Sequence, residues 1–123
     1  MILPRDGRVA RSFAADVRYD LIALNETTVL ESDQIVLDAG DAATQEIAEA
    51  FGALKTLIWN GPLGAFEIAP FDTATVAASK TAAALTKSGK LITVAGGGDT
   101  VAALNQAGVA DDFTYISTAG GAF

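Results

Sequence analysis

Three short apolar runs, each followed by glycine, constrain the fold of this chain more than any other feature. They occupy residues 56–59, 91–95 and 115–118, and each has the length and composition of a buried strand. Helical patterns separate the runs along the chain. Because strands that alternate with helices form parallel sheets through right-handed crossovers, the sequence predicts an α/β fold, in which helices flank a parallel sheet in a Rossmann-like, three-layer arrangement.

Three patterns predict the helices. The first helix starts at Asp41 and ends between residues 52 and 54, because Ile47, Ala48, Phe51 and Leu54 recur at helical spacing. The second is bounded by Asp72 as a side-chain N-cap and by Gly89, which follows Lys87 as a C-terminal stop. The third is short, covers residues 99–107 and ends at Gly108.

The first forty residues predict only short extended pieces, at residues 2–3, 9–13, 21–24 and 35–37, with polar turns between them. The chain has 123 residues, of which 50% are hydrophobic. This size favours one compact domain with one core, and no repeat or linker indicates a boundary inside it.

The composition excludes several classes of function. The chain contains no cysteine and no histidine, so disulfides, thiolate nucleophiles, histidine bases and the usual zinc sites are excluded, and a metal would have to bind oxygen. A formal net charge of −7 argues against a nucleic-acid partner. No apolar run reaches the length of a membrane span or signal peptide, so we expect a cytoplasmic protein without a membrane partner.

The three predicted strands lead into three glycine loops. We name residues 60–67 the first glycine loop, residues 96–100 the second and residues 119–121 the third. The carboxyl ends of parallel strands share one edge of the sheet, and ligands bind in the crevice outside that edge. A single glycine loop is also typical of a tight turn, but three at one edge favour a ligand site.

In the second loop, Gly96, Gly97 and Gly98 lead directly into a helix start, where free amides can approach phosphate oxygens. Two interpretations of Asp99 stay open: a Mg²⁺ ligand beside the phosphates, or a helix residue favoured by the dipole. Glu67 either accepts ribose hydroxyls or is exposed without a ligand. Neither the P-loop nor the dinucleotide fingerprint is present, which argues against a dehydrogenase as an alternative.

Four segments resemble phosphoglycerate kinases. Residues 59–67 are similar to that family's W-N-G-P-x-G-x-F-E signature, and residues 96–100 to its G-G-G-D-[ST] loop. Residues 116–122 resemble its I-S-T-G-G-G-A segment, and residues 3–6 resemble its L-P-x-D strand. The segments occur in family order over the whole chain.

The resemblance implies a glycolytic kinase that transfers a phosphoryl group between 1,3-bisphosphoglycerate and ADP, giving 3-phosphoglycerate and ATP, with Mg²⁺. Residues 1–123 would be part of the C-terminal, nucleotide-binding domain of an enzyme that is a monomer at full length. The phosphoglycerate-binding N-terminal domain and the family's G-G-A-K lysine loop would precede Met1. We therefore expect no activity from the isolated chain, and the alternative is a folded remnant without a ligand.

The resemblance also implies roles for single residues. Glu67 would hold the ribose, Asp99 would ligate Mg²⁺ and Gly40 would lie near the adenine, whereas Gly120 and Gly121 would border the transferred phosphoryl group. The full set of implied nucleotide contacts is Gly40, Asn60, Gly61, Pro62, Gly64, Glu67, Gly96, Gly97, Gly98, Asp99 and Thr100. Two positions depart from the family pattern: Asp41 replaces a proline, and Ala119 replaces the first of three glycines.

Overall fold

The computed structural model describes residues 1–117. Its strands are β1 (Asp6–Ala10), β2 (Tyr19–Ala23), β3 (Ile35–Ala39), β4 (Thr56–Asn60), β5 (Ile92–Gly96) and β6 (Tyr115–Ser117). Its helices are α1 (Asp41–Gly52), α2 (Thr73–Lys87) and α3 (Gly98–Ala107), followed by a short 3₁₀ turn at Ala110–Asp112. Within this described part, no helix combines the length and apolar character needed to cross a membrane.

The second half of the chain confirms the predicted fold class. Strands β4, β5 and β6 form a parallel sheet in that order, with β5 in the centre, and helices α2 and α3 pack against it. Trp59 lies in its core, with its ring centroid 6.0 Å from that of Phe51 and 6.2 Å from that of Phe113. Each predicted element lies within one or two residues of its observed position, and Gly108 ends α3 in a left-handed conformation.

The first forty residues match the prediction in part, since the extended pieces predicted at 21–24 and 35–37 overlap β2 and β3. These residues form a separate antiparallel sheet in the order β2-β1-β3, and residues 2–3 belong to no strand. Strand β1 begins at Asp6, earlier than predicted, because Gly7 and Arg8 pair with strands on both sides. Local sequence could not reveal this, since a charged residue in the centre of a sheet is stabilised only by distant partners.

The prediction of one core was also wrong. The main hydrophobic cluster lies between the parallel sheet and the helices that pack on it. It includes Phe51, Trp59, Leu91 and Leu104. A smaller cluster lies against the antiparallel sheet and is built around fully buried Phe71. Two sheets with separate inner faces each need their own apolar cover, so the chain divides its buried residues between them.

Two helices are capped by carboxylates from the antiparallel sheet instead of by local residues. Asp6 accepts from the amides of Ala42 (3.1 Å) and Ala43 (2.8 Å) at the start of α1. Asp38 accepts from the Ala74 amide (2.9 Å) at the start of α2. Asp72 occupies the predicted N-cap position, but its side chain makes no capping hydrogen bond, so the predicted role of that side chain was wrong.

Candidate functional site

The first and second glycine loops lie side by side at the carboxyl edge of the parallel sheet. Asn60, at the end of β4, is the register partner of Gly96, at the end of β5. One residue further, the amide of Gly61 donates to the hydroxyl oxygen of Thr100 (2.7 Å). The predicted convergence of these two loops is therefore confirmed. The third glycine loop, with Gly120 and Gly121, lies outside the described residues.

The second glycine loop presents open backbone at the start of α3. Gly97 has a φ of +97°, which disfavours any residue with a Cβ, and no atom lies within 4 Å of the Cβ that an alanine would place at position 98. Across residues 1–117, no side-chain oxygen accepts from the first-turn amides of α3, unlike those of α1 and α2. The positive end of the helix dipole is thus open to an anion.

Thr100 is placed differently from the residues around it. It is buried, and its hydroxyl oxygen accepts the Gly61 hydrogen bond, so the side chain links the two loops. A hydroxyl that accepts still has one proton to donate. Thr100 therefore links the two loops with an acceptor, and the bond to Gly61 leaves its hydroxyl proton unused.

The structure places Asp99 in the first turn of α3 as an exposed carboxylate. Residues 1–117 contain no group of three or more acidic side chains arranged to hold a metal. Mg²⁺ at phosphate sites typically takes one or two protein carboxylates and completes its shell with water and phosphate oxygens. A single carboxylate beside the open amides fits a Mg²⁺ ion that is carried by a phosphate ligand.

The first glycine loop is shaped by its neighbours. Gly61 has a φ of +108°, and its carbonyl accepts a hydrogen bond from the indole N–H of Trp59 (2.6 Å). A Cβ at Gly64 would lie 2.3 Å from a carboxylate oxygen of Asp38, so only glycine allows the loop to approach β3 this closely. Glu67 is exposed at the end of the loop.

A cavity of about 440 Å³ lies between this loop and the antiparallel sheet. Its walls are mainly apolar and come from Val36, Leu37, Pro62, Leu63 and Gly64, among others. Asp6 and Asp38 also line it. Its size and apolar walls suit a flat, uncharged ring system.

Gly40, the N-cap of α1, follows Ala39, which lines this cavity. It is buried, and a Cβ there would lie 2.2 Å from the carboxylate carbon of Asp6. This close approach gives Gly40 a packing role at the strand-to-helix junction. Asp6, which lines the cavity, is the link between that junction and the candidate site.

Sequence reasoning missed the buried ion pair of Arg8 and Asp38 behind the cavity. The closest guanidinium nitrogen lies 3.5 Å from the Asp38 carboxylate, and Arg8 also donates to Asp41 and to the carbonyl of Ala39. Burial raises the pKa of the Asp38 carboxyl to about 6, although the Ala74 amide and Arg8 oppose the rise. At pH 7 the carboxylate is therefore mostly ionised. The available signal in the sequence was a charged residue inside the apolar run of β3.

A family model described as phosphoglycerate kinase matches residues 1–123, which is the whole chain. The chain belongs to the phosphoglycerate kinase family. It is 65% identical over 123 residues to a phosphoglycerate kinase of Roseobacter denitrificans, and 58% identical to one of Agrobacterium fabrum. These matches cover 100% of this chain but only 31% and 30% of the two relatives, so the chain spans about a third of their length.

Solved structures of the family give the same result. The structure of phosphoglycerate kinase from Coxiella burnetii matches 98% of this chain, with a TM-score of 0.85 and 32% sequence identity. That of phosphoglycerate kinase from Pyrococcus horikoshii matches 96%, with a TM-score of 0.74 and 28% identity. The chain covers 29% and 27% of those two chains. The α/β fold described above is therefore the fold of part of a phosphoglycerate kinase.

Proposed function

We propose that this chain supplies part of the Mg-nucleotide site of a kinase that transfers a phosphoryl group between 1,3-bisphosphoglycerate and ADP. The observation that carries the proposal is the hydrogen bond from the Gly61 amide to Thr100, which joins the family's two signature loops at one edge of the sheet. Open amides, an exposed carboxylate and an apolar cavity all lie around that edge. These are the features that bind phosphates, a magnesium ion and a base.

In this proposal, the parts of the nucleotide are divided among the two loops. The phosphates lie at the start of α3, against Gly96, Gly97, Gly98 and Thr100. Asp99 holds Mg²⁺, which neutralises phosphate charge.

The nucleoside lies beside the first glycine loop. It is bordered by Asn60, Gly61 and Pro62, and Glu67 binds its ribose hydroxyls. The adenine enters the cavity beside Leu37 and Gly64, with Gly40 behind it. Gly120 and Gly121 border the transferred phosphoryl group.

The same proposal covers the second substrate, the oligomeric state and the cellular location of the full-length enzyme. Phosphoglycerate binds to another part of the full-length protein, which is about three times longer in the relatives. We propose that the full-length kinase is a monomer in the cytoplasm. The alternative, a folded remnant without a ligand, is an outcome of the first experiment below.

Mg-ADP is expected to change the emission of Trp59 saturably, because its indole is hydrogen-bonded to Gly61 inside the proposed site. Glu67→Ala is expected to weaken binding about tenfold, since two hydroxyl contacts of about 1 kcal/mol or less each are lost. Asp99→Ala is expected to remove the magnesium dependence of binding. The measurement is a fluorescence titration of ADP with and without Mg²⁺.

The controls for this titration come from the same chain. Glu49→Ala removes an exposed carboxylate from α1, away from both loops, and should leave the titration unchanged. Circular dichroism checks that each variant is folded. A flat titration of folded parent protein would contradict the proposal and favour the remnant.

We expect the isolated chain to show no kinase turnover. Phosphoryl transfer depends on positioning and on positive charge at the phosphates. The first and second glycine loops contain no lysine or arginine. The measurement is a coupled assay of ATP formation from 1,3-bisphosphoglycerate and Mg-ADP, compared with a blank without protein. ATP formation above that blank would show that these residues are sufficient for catalysis.

A further inference from the structure

Thr75, on α2, has a different partner from the other hydroxyl residues of its helix, of which Thr73 donates to the carbonyl of Pro70 and Thr86 also pairs with Thr93 of β5. Its hydroxyl oxygen accepts from the amide of Leu63 in the first glycine loop (3.0 Å), and the residue is only 1% exposed. Three others donate back to carbonyls of α2 itself: Ser79 to Val76 (2.9 Å), Thr81 to Ala77 (3.2 Å) and Thr86 to Ala82 (2.7 Å). Thr75 thus connects the helix to the loop.

Gln106, on α3, contacts the other end of the same loop. Its side-chain amide donates to the carbonyl of Phe66 (3.0 Å) and, at 3.4 Å, to the carboxylate of Asp72. Between these two contacts, the amide of Ala65 donates to the carbonyl of Leu37 on β3 (2.8 Å). Residues 63–66 are therefore held by three different elements.

This segment immediately precedes Glu67 and has no regular secondary structure of its own. Its one internal backbone hydrogen bond runs from the amide of Phe66 to the carbonyl of Gly64 (2.8 Å), so the rest of its backbone depends on its neighbours for order. A segment that is ordered only on binding reduces affinity. Neither Thr75 nor Gln106 belongs to the nucleotide contacts proposed above. Their hydrogen bonds to the loop are made to its backbone.

We infer that Thr75 and Gln106 are positioning residues that clamp residues 63–66, so that Glu67 and the cavity wall at Gly64 are already in place when a nucleotide binds. The inference rests on the proposed function for its ligand, but the clamp itself is a property of the free protein. Thr75 holds the loop from α2, and Gln106 holds it from α3. Loss of either contact loosens the loop without removing a ligand contact.

The first test measures the free protein. Thr75→Val keeps the shape of the side chain and removes the acceptor, so exchange of the Leu63 amide proton, followed by NMR, is expected to accelerate about five- to tenfold, the equivalent of one hydrogen bond. Thr75→Ser keeps the hydroxyl and should restore slow exchange. Thr81→Val is the matched control, because it removes a hydroxyl of the same helix that bonds only to α2.

The second test measures binding of Mg-ADP by the Trp59 titration. Thr75→Val and Gln106→Met are each expected to raise the Kd about three- to tenfold, in line with one hydrogen bond, while Thr75→Ser and Thr81→Val leave it unchanged. Asn105→Met is the control for Gln106, since Asn105 is an exposed neighbour on α3. An added Glu67→Ala should weaken binding less in Thr75→Val than in the parent, because the clamp acts through Glu67.

The outcomes separate the two proposals. If Leu63 exchanges at the same rate in Thr75→Val as in Thr81→Val, the clamp is overturned whatever the nucleotide does. If the parent binds Mg-ADP and the clamp variants bind equally well, the positioning role is overturned although the proposed function stands. A flat parent titration with accelerated Leu63 exchange overturns the proposed function and supports the clamp.

Discussion

Replacing Gly64 by alanine is expected to lower the free energy of unfolding by about 3 kcal/mol, at the upper end for an overpacked site. The new Cβ would lie 2.3 Å from an oxygen of Asp38 and 2.7 Å from the carbonyl oxygen of Leu37. Neither atom can move easily, because Asp38 is buried and hydrogen-bonded to the amides of Ala39 and Ala74. Urea unfolding followed by Trp59 fluorescence measures the loss.

Gly52→Ala is the matched control for this substitution. Gly52 is the last residue of α1, and no atom lies within 4 Å of an added Cβ there. Alanine is favoured over glycine in helices, so this variant should be unchanged or stabilised by up to about 1 kcal/mol. Equal unfolding midpoints for Gly64→Ala and Gly52→Ala would show that the loop is free to move away from β3.

Replacing Arg8 by methionine is expected to cost about 3 to 5 kcal/mol, because it leaves the carboxylate of Asp38 buried without its cation. Arg8 is 3% exposed and lies between the carboxylates of Asp38 and Asp41. Its guanidinium also stands 5.9 Å from the ring centroid of Tyr19. Because Arg8 lowers the pKa of Asp38, that pKa rises above about 6 in the variant, so urea unfolding is measured at pH 8, where the carboxylate of the parent is ionised.

Arg11→Met is the control for Arg8, because Arg11 also pairs with two carboxylates, those of Glu31 and Asp33, but its side chain is 55% exposed. Exposed pairs contribute little, so its loss should cost less than about 1 kcal/mol. Adding Asp38→Asn to Arg8→Met should recover part of the loss, since it removes the unpaired charge. Equal costs for Arg8→Met and Arg11→Met would argue against the buried pair.

Gly64→Ala and Arg8→Met both disturb the contacts of Asp38. Asp38 caps α2, pairs with Arg8 of β1 and lies against Gly64 of the first glycine loop. The antiparallel sheet therefore does more than cover the surface of the parallel one. It supplies the carboxylates of Asp6 and Asp38 at the starts of α1 and α2, and both residues also line the cavity where we propose that the base binds.

The sequence alone predicted the parallel half of the fold well. Strands β4 and β5 and helix α3 were predicted to within one or two residues, because apolar runs, helical spacing and glycine stops are local signals. At the site, the contact between the first and second glycine loops followed from the rule that parallel strands end at one edge.

The antiparallel half could not be predicted in the same way. Strand β1 contains Asp6, Gly7 and Arg8, which locally resemble a polar turn, and only pairing on both sides makes them a strand. The same limit applies to Thr75, since nothing in its local sequence distinguishes it from Thr81. Which of them turns toward the loop depends on how α2 packs.

The sequence by itself thus determined the family, the α/β fold class and the glycine loops at the sheet edge, because each rests on residue types at short spacing. Only the tertiary structure decided which charges cap the helices, why Gly40 and Gly64 must lack a side chain, and which side chains hold the first glycine loop. Those features depend on atoms that lie far apart in the chain, and contacts of that kind leave no periodic signal in the sequence.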